Sequence, residues 1–322
     1  MKPSPGAAWR PVYLRLSVTD RCNLRCRYCR PASPGAKSAP AGLATDEELL
    51  GLIAILHEEF PIYKVRITGG EPLLRPALPG FIEKLRQQMP KAELAMTTNA
   101  VLLQQHAAAV RRAGVEFLNT SLDTLSAELC KELTRGGDVR TIVDGIRAAH
   151  AAGFPQIRIN TVLMRNYNGD SLPALVRFAA ELDCEIRFIE LMPFGEGEAI
   201  YDREYLSADE ALQSLEAEFA NLGSLPRSST ARRHRLSVDG REQAIGFITN
   251  MSHPFCDGCD RTRLDSRGRL YACLRTMHGV DLLSPYRAGQ IDEVRWLIRR
   301  EVPNKTIPQG VWPTHNMVSI GG

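Results

Sequence analysis

Between Pro11 and Leu191 a short β-rich run is followed by a helical stretch again and again, and this alternation restricts the fold more than any other feature of the chain. Strand-like runs fall at residues 12–18, 64–68, 93–98, 116–122, 156–163 and 185–191. Helical stretches fall between them: one to about residue 60, opened by a capping box of Thr45 and Glu48, then 78–89, 102–113, 139–152 and 171–182. Neighbouring parallel strands need crossover connections, so strands that alternate with helices predict an α/β chain built on a parallel sheet. The pattern fits a flat sheet or an incomplete barrel equally well. In both, chemistry gathers at the C-terminal ends of the strands, where the polar and glycine-rich motifs fall in this chain. A second capping box, Ser207 and Glu210, opens a helix to about residue 222. GSLPRSSTARR, residues 223–233, then reads as a loop or linker. Beyond it the rhythm changes: a hairpin at 261–273 turns at Ser266-Arg267-Gly268, a helix spans 291–301, and the last twenty residues read as irregular. The expected division is therefore residues 1–222 and residues 223–322.

The eight cysteines are unevenly placed. Cys22, Cys26 and Cys29 lie within eight residues, directly after the first strand. Cys256, Cys259 and Cys273 form a second group, and Cys130 and Cys184 stand alone as small buried apolar residues. In a reducing compartment such clustering reads as metal ligation. A chain of 322 residues can bury a core without a metal staple, so catalytic sites are favoured over structural ones. Three thiolates can hold three irons of a 4Fe–4S cluster and leave the fourth open. Zinc is the alternative, and it wants four protein ligands. The first group has no histidine nearer than His57, whereas His253 and His278 lie close enough to the second group to complete a zinc site. Arg261 and Arg263, at i and i+2 on a strand, would point to one face and offer an anion two guanidinium forks, unless that face is simply solvated.

Charge and hydropathy narrow the partners. A formal net charge of +3 argues against a nucleic-acid binder. No apolar run is long enough to cross a bilayer, and the N-terminus lacks the core of a signal peptide, so a cytoplasmic enzyme with no membrane partner is expected.

The C-x3-C-x2-C spacing, with Tyr28 before the last cysteine, resembles the signature of the radical S-adenosylmethionine (SAM) superfamily. The run LRLSVTDRCNLRCRYC, VRITGGEPLLR, TTN, SLDTL, IRFIELMP, CxxCxRxR with a later cysteine, and a closing Met-x-x-Ile-Gly-Gly resembles, in order, the GTP 3′,8-cyclase family that opens molybdenum-cofactor biosynthesis. The resemblance spans roughly Arg10 to Gly322. It implies an incomplete (β/α)6 TIM-type barrel with a smaller C-terminal cluster-binding region, two 4Fe–4S clusters and SAM as cofactors. Cys22, Cys26 and Cys29 would hold the SAM cluster, and Cys256, Cys259 and Cys273 the second. Tyr28, Gly69, Gly70, Glu71, Ser121 and Met192 fall on SAM positions. Arg15, Lys64, Arg66, Thr97, Arg158, Arg187, Arg261, Thr262 and Arg263 fall on GTP positions. Gly321 and Gly322 would enter the active site.

The implied reaction takes the hydrogen from C3′ of GTP, joins C3′ to C8 of guanine, and finishes with one electron and one proton. Implied partners are GTP, a low-potential electron donor and a cyclic pyranopterin monophosphate synthase that takes the product, with a homodimer as a further expectation. Arg30 stands where the family usually has methionine, Ala100 where it has glycine, and Arg158 where lysine is common. Two other readings stay open on sequence: a radical SAM enzyme acting on another nucleotide or a peptide, and a zinc-stapled binding module.

Overall fold

Twelve strands form one continuous sheet in the computed structural model, which describes residues 10–32, 42–228, 230–256, 258–276 and 278–305. The strands are β1 (Val12–Ser17), β2 (Ile62–Thr68), β3 (Glu93–Thr98), β4 (Phe117–Ser121), β5 (Gln156–Leu163), β6 (Glu185–Glu190), β7 (Ala220–Leu225), β8 (Arg232–Val238), β9 (Arg241–Ile248), β10 (Arg261–Leu264), β11 (Arg269–Tyr271) and β12 (Val280–Asp281). Their order is β12-β11-β10-β1-β2-β3-β4-β5-β6-β9-β8-β7. Strands β1 to β6 are neighbours in sequence order and all parallel. The C-terminal part adds β10 in parallel to β1 and β9 in parallel to β6. Each of these added strands continues into an antiparallel hairpin. The outermost strands, β12 and β7, do not pair, so the barrel is incomplete.

Alternation along each strand sorts its side chains. In β1, Leu14 and Leu16 are fully buried in the core, while Tyr13 and Arg15 line the interior cavity. The outward set packs beneath the helices at Asp46–Glu59, Leu78–Gln88, Leu103–Arg112, Val139–Ala151 and Leu172–Glu181. Burying each leucine or isoleucine in this layer contributes about 1.5–3 kcal/mol. The inward set is free to be polar. Both capping boxes form, Thr45 with Glu48 and Ser207 with Glu210.

Two expectations need correction. The helix after Ser207 ends at Glu216, and residues 220–225 are strand β7. The stretch 223–233 is a loop only at its centre: residues 223–225 end β7 and residues 232–233 begin β8, which gains a full ladder with β9 and buries Leu236 and Val238 despite its arginines. Residues 222 and 223 both lie in β7, within the continuous sheet. A helix at Ala127–Thr134, N-capped by Ser126, was not foreseen. No helix among the described residues is long and apolar enough to cross a membrane. Gly321 and Gly322 lie outside the described residues.

Candidate functional site

The inner faces of the parallel strands enclose a cavity of about 630 Å³, and all six clustered cysteines line it. The register shows how two groups so far apart in sequence face one space. Cys22 follows the C-terminal end of β1, whereas Cys259 precedes the start of β10, which is parallel to β1 with Tyr13 opposite Arg261. Cys273 follows β11, which runs back antiparallel to the Cys259 side. The two groups therefore sit toward opposite ends of the strands.

The first cysteine loop is held from three sides. Cys29 N–H and Arg30 N–H both donate to Cys26 O, at 2.9 and 3.0 Å, closing a turn. Arg25 N–H and Arg27 N–H donate to Thr134 O and Leu133 O, so the end of the unforeseen helix anchors the loop. Arg30 ties the loop to itself: its Nη1 donates to Cys22 O at 3.2 Å, and its carbonyl accepts Arg135 Nη1 at 2.6 Å. That gives the family departure at position 30 a structural role. On the third side, Gly70 N–H donates to Thr19 O and Glu71 N–H to Arg21 O, both at 2.7 Å. A Cβ on Gly69 would come within 2.6 Å of Thr19 O, and one on Gly70 would collide with the Arg21 carbonyl. The glycine pair is thus needed for contact with the cysteine loop itself. Glu71 does not line the cavity. Its buried carboxylate accepts Thr98 Oγ1 (2.8 Å), Asn99 N–H (2.8 Å) and Leu73 N–H (3.0 Å), and burial pushes it up to about 7. Next to Asn99, Ala100 holds φ at +67°, a conformation that suits the usual glycine.

The thiols suit a cationic centre. Burial pushes Cys22 up, Cys26 well up and Cys29 to about 12, and their mutual repulsion adds to the shift of the last two. Three thiolates coexist here only if a bound cation offsets them. Among the described residues no three His, Cys, Asp or Glu converge on a point that could hold a single ion, and neither His253 nor His278 lines the cavity. The donor set fits multi-iron clusters with open positions better than a four-ligand zinc site. In the second group, Cys259 N–H donates to Cys256 O at 3.1 Å, and Arg275 N–H donates to Cys273 Sγ at 3.5 Å. Lys305 Nζ, which sequence reasoning did not single out, donates to Ala272 O at 2.6 Å and to Arg261 O, fastening this group to β10.

Three arginines lie in one row between the cysteine groups. Arg263 of β10, Arg15 of β1 and Arg66 of β2 are direct register partners, and all line the cavity. Burial, then neighbouring guanidinium charge, pulls Arg263 well down; burial likewise brings Arg15 to about 10. Crowded cations of this kind are stabilised by a polyanionic ligand. Arg66 donates to Tyr13 Oη and to Thr97 Oγ1 (3.4 Å). Burial alone would push the Tyr13 phenol up, yet Arg66, Arg15 and Lys64 outweigh it and bring it to about 8. Opposite, Arg158 and Arg187 share the Glu185 carboxylate at 3.2 and 2.9 Å, and Arg233 joins it at 3.2 Å, leaving cationic excess on that wall too. Lys64 lines the cavity paired with Glu93 at 2.6 Å. Arg261 also lines it. Thr262 does not: it is fully buried on the other face of β10, its hydroxyl donating to Tyr271 O at 3.0 Å, as strand alternation requires.

Tyr28, Gly69, Gly70, Ser121 and Met192 line the cavity on the first-cysteine side. Two carboxylates that sequence reasoning missed, the half-buried Asp123 and the buried Glu190, brace this wall. Asp123 accepts Tyr28 Oη and Val162 N–H, each at 2.8 Å, and burial raises it to about 6. Glu190 accepts Met251 N–H and Ser252 N–H at 2.9 Å and Ser252 Oγ, pinning the segment that leads to Cys256. Both lie within the quoted motifs SLDTL and IRFIELMP, at strand ends, which is the signal that marks them.

The Radical SAM superfamily model matches residues 16–179, and the Molybdenum Cofactor Synthesis C model matches residues 184–309. A GTP 3′,8-cyclase from Peptoclostridium acidaminophilum is 36% identical over 98% of this chain and 97% of its own length. One from Streptomyces coelicolor is 40% identical over 96% of this chain and 93% of its own. Among solved structures, Streptococcus suis SuiB bound to S-adenosylmethionine superposes with a TM-score of 0.61 at 14% identity, covering 85% of this chain and 64% of that one. At that identity the likeness concerns the fold.

Proposed function

The chain belongs to the GTP 3′,8-cyclase family of radical SAM enzymes, and from that premise we propose how its residues divide the work. It is a radical SAM cyclase of molybdenum cofactor biosynthesis, converting GTP to (8S)-3′,8-cyclo-7,8-dihydroguanosine 5′-triphosphate with two 4Fe–4S clusters and SAM. When bound, the clusters and SAM supply the low-potential electron and the hydrogen-abstracting radical. Cys22, Cys26 and Cys29 would hold the first cluster, and Cys256, Cys259 and Cys273 the second, with three thiolates for each. Tyr28, Gly69, Gly70, Ser121 and Met192 surround SAM, while Glu71 shapes the loop that does so. Arg15, Lys64, Arg66, Thr97, Arg158, Arg187, Arg261 and Arg263 take GTP. Their task is orientation: C3′ must meet C8, and a well-oriented intramolecular reaction gains an effective molarity of about 10⁵ M or more. The partners are GTP, a low-potential electron donor and a cyclic pyranopterin monophosphate synthase downstream; Gly321 and Gly322 serve cyclisation, and the enzyme works in the cytoplasm, as a homodimer.

The observation that carries the GTP reading is the row Arg263–Arg15–Arg66 on adjacent strands inside the cavity that all six cysteines line. Anaerobic turnover with SAM, dithionite and GTP, followed by mass analysis of the nucleotide, tests the reaction. Replacing Arg263 by alanine removes a charge-assisted contact of about 1.5–3 kcal/mol. GTP affinity is expected to fall roughly 10- to 150-fold by that measure, with the SAM KM unmoved. Unchanged GTP affinity would reduce the row to a fold element.

A further inference from the structure

One carboxylate behind the cavity wall grips three arginines. Glu185 opens β6, is buried, and does not line the cavity. Its Oε2 accepts Arg158 Nε at 3.2 Å, and its Oε1 accepts Arg187 Nε at 2.9 Å and Arg233 Nε at 3.2 Å. The sheet brings the three together. Arg158 is the register partner of Glu185 on β5, and Arg187 lies two residues on, on the same face of β6. Arg233 arrives from β8, across Gly246 of β9, which pairs with Arg187 on one side and Arg233 on the other. A Cβ on Gly246 would sit 3.4 Å from Arg187 Cγ and 3.5 Å from Glu185 Oε1, so the glycine leaves clear the gap that the carboxylate and Arg233 share. Burial would raise the Glu185 carboxyl, yet Arg187, Arg158 and Arg233 outweigh it and hold it below the usual range.

The mode of contact points to a role beyond charge. Arg158 and Arg187 line the cavity, and both are held through Nε. Among the described residues neither guanidinium makes another hydrogen bond. Each keeps its two Nη groups for a ligand, a fork that suits phosphate oxygens. Arg233, like Glu185, stays out of the cavity lining. We propose that Glu185, braced from behind by Arg233, is a positioning residue that turns the free forks of Arg158 and Arg187 toward the polyphosphate of the nucleotide. This role rests on the proposed GTP reading of the wall, and it predicts the opposite of what charge alone predicts. Removing a negative charge from a cationic wall tightens a polyanion by Coulomb attraction. Removing the group that orients two flexible arginines loosens it, because their side chains must then be ordered on binding.

The test compares anaerobically reconstituted holoenzymes: wild type, Glu185→Gln, and Glu185→Gln combined with Arg233→Met. The combined variant loses one charge of each sign, so the net charge behind the wall is unchanged. Equilibrium binding of GTP and of guanosine is measured, with iron per chain and 5′-deoxyadenosine formed without GTP as checks of the fold. GTP affinity is expected to fall roughly tenfold in both variants, the scale of a lost charge-assisted contact, with guanosine affinity and SAM cleavage unmoved. Arg233→Met alone should also weaken GTP, and Arg233→Lys, which keeps a cation behind the carboxylate, should weaken it less. If Glu185→Gln loses iron, the combined variant and the Arg233 pair carry the comparison. GTP binding as tight as in wild type, or tighter, in the Glu185 variants overturns the proposal and leaves the GTP reading standing. Parallel loss of GTP and guanosine also overturns it, since a general disturbance of the cavity would do the same. If wild type itself binds guanosine as tightly as GTP, the wall does not read phosphates, and the GTP reading falls together with the role of Glu185.

Discussion

Cys26→Ala is expected to abolish reductive SAM cleavage, whereas Cys259→Ala leaves much of that cleavage running and stops cyclisation. The reason is placement. Cys26 lies in the loop beyond the C-terminal end of β1, among Tyr28, Gly70 and Asn99. Cys259 lies before the start of β10, beside Arg261 and under the clamp of Lys305. The row Arg263–Arg15–Arg66 separates the two. Damage to the second loop therefore has no direct route to the first. The two loops also use different anchors: Thr134, Leu133 and Arg135 for the first, Ala272, Thr276 and Glu190 for the second. Each variant should retain roughly four irons of about eight. The measurements are iron content, 5′-deoxyadenosine formed without GTP, and cyclised nucleotide formed with it. Equal loss of both activities in both variants would mean that the two cysteine groups do not divide their duties.

The strands β1 to β6 were legible because each carries its own alternation and its own bounding turn, signals that sit within a few residues. Both cysteine groups were legible for the same reason. What the sequence hid was contact between distant segments. Nothing local in RTRL says that β10 will pair with β1, yet that pairing is what brings Arg263 beside Arg15. Arg232 and Arg233 close a run that reads as a linker, and only the ladder with β9 makes them the start of β8. The family pattern set the glycine pair at 69–70 on SAM positions; in the fold its missing side chains also make room for another loop of the same chain. Thr262 shows the opposite case. Strand alternation alone would have separated it from Arg261 and Arg263, and the family pattern overrode that simpler reading.

Gly70→Ala should cost the enzyme its first cluster while sparing the second. The added methyl would be driven into the Arg21 carbonyl, with Cys22 Cβ at 3.0 Å, so it meets backbone and cannot be accommodated by a rotamer change. Nor can the loops simply part, because Gly70 N–H and Glu71 N–H bind Thr19 O and Arg21 O at 2.7 Å from the same stretch. Ordinary overpacking costs about 1–3 kcal/mol, and here the strain falls on the loop that presents Cys22. Displacing Cys22 removes one of three thiolates, so iron should drop to about half and SAM cleavage should be lost. Gly80→Ala is the matched control: a Cβ there meets nothing within 4 Å, and the site lies inside the helix Leu78–Gln88, where alanine is favoured by roughly 0.5–1 kcal/mol. The decisive comparison is iron per chain and 5′-deoxyadenosine yield in the two variants. A Gly70→Ala enzyme with full iron and wild-type SAM cleavage would show that the loop can yield, and that the contact between residues 21 and 70 does not hold the cysteines in place.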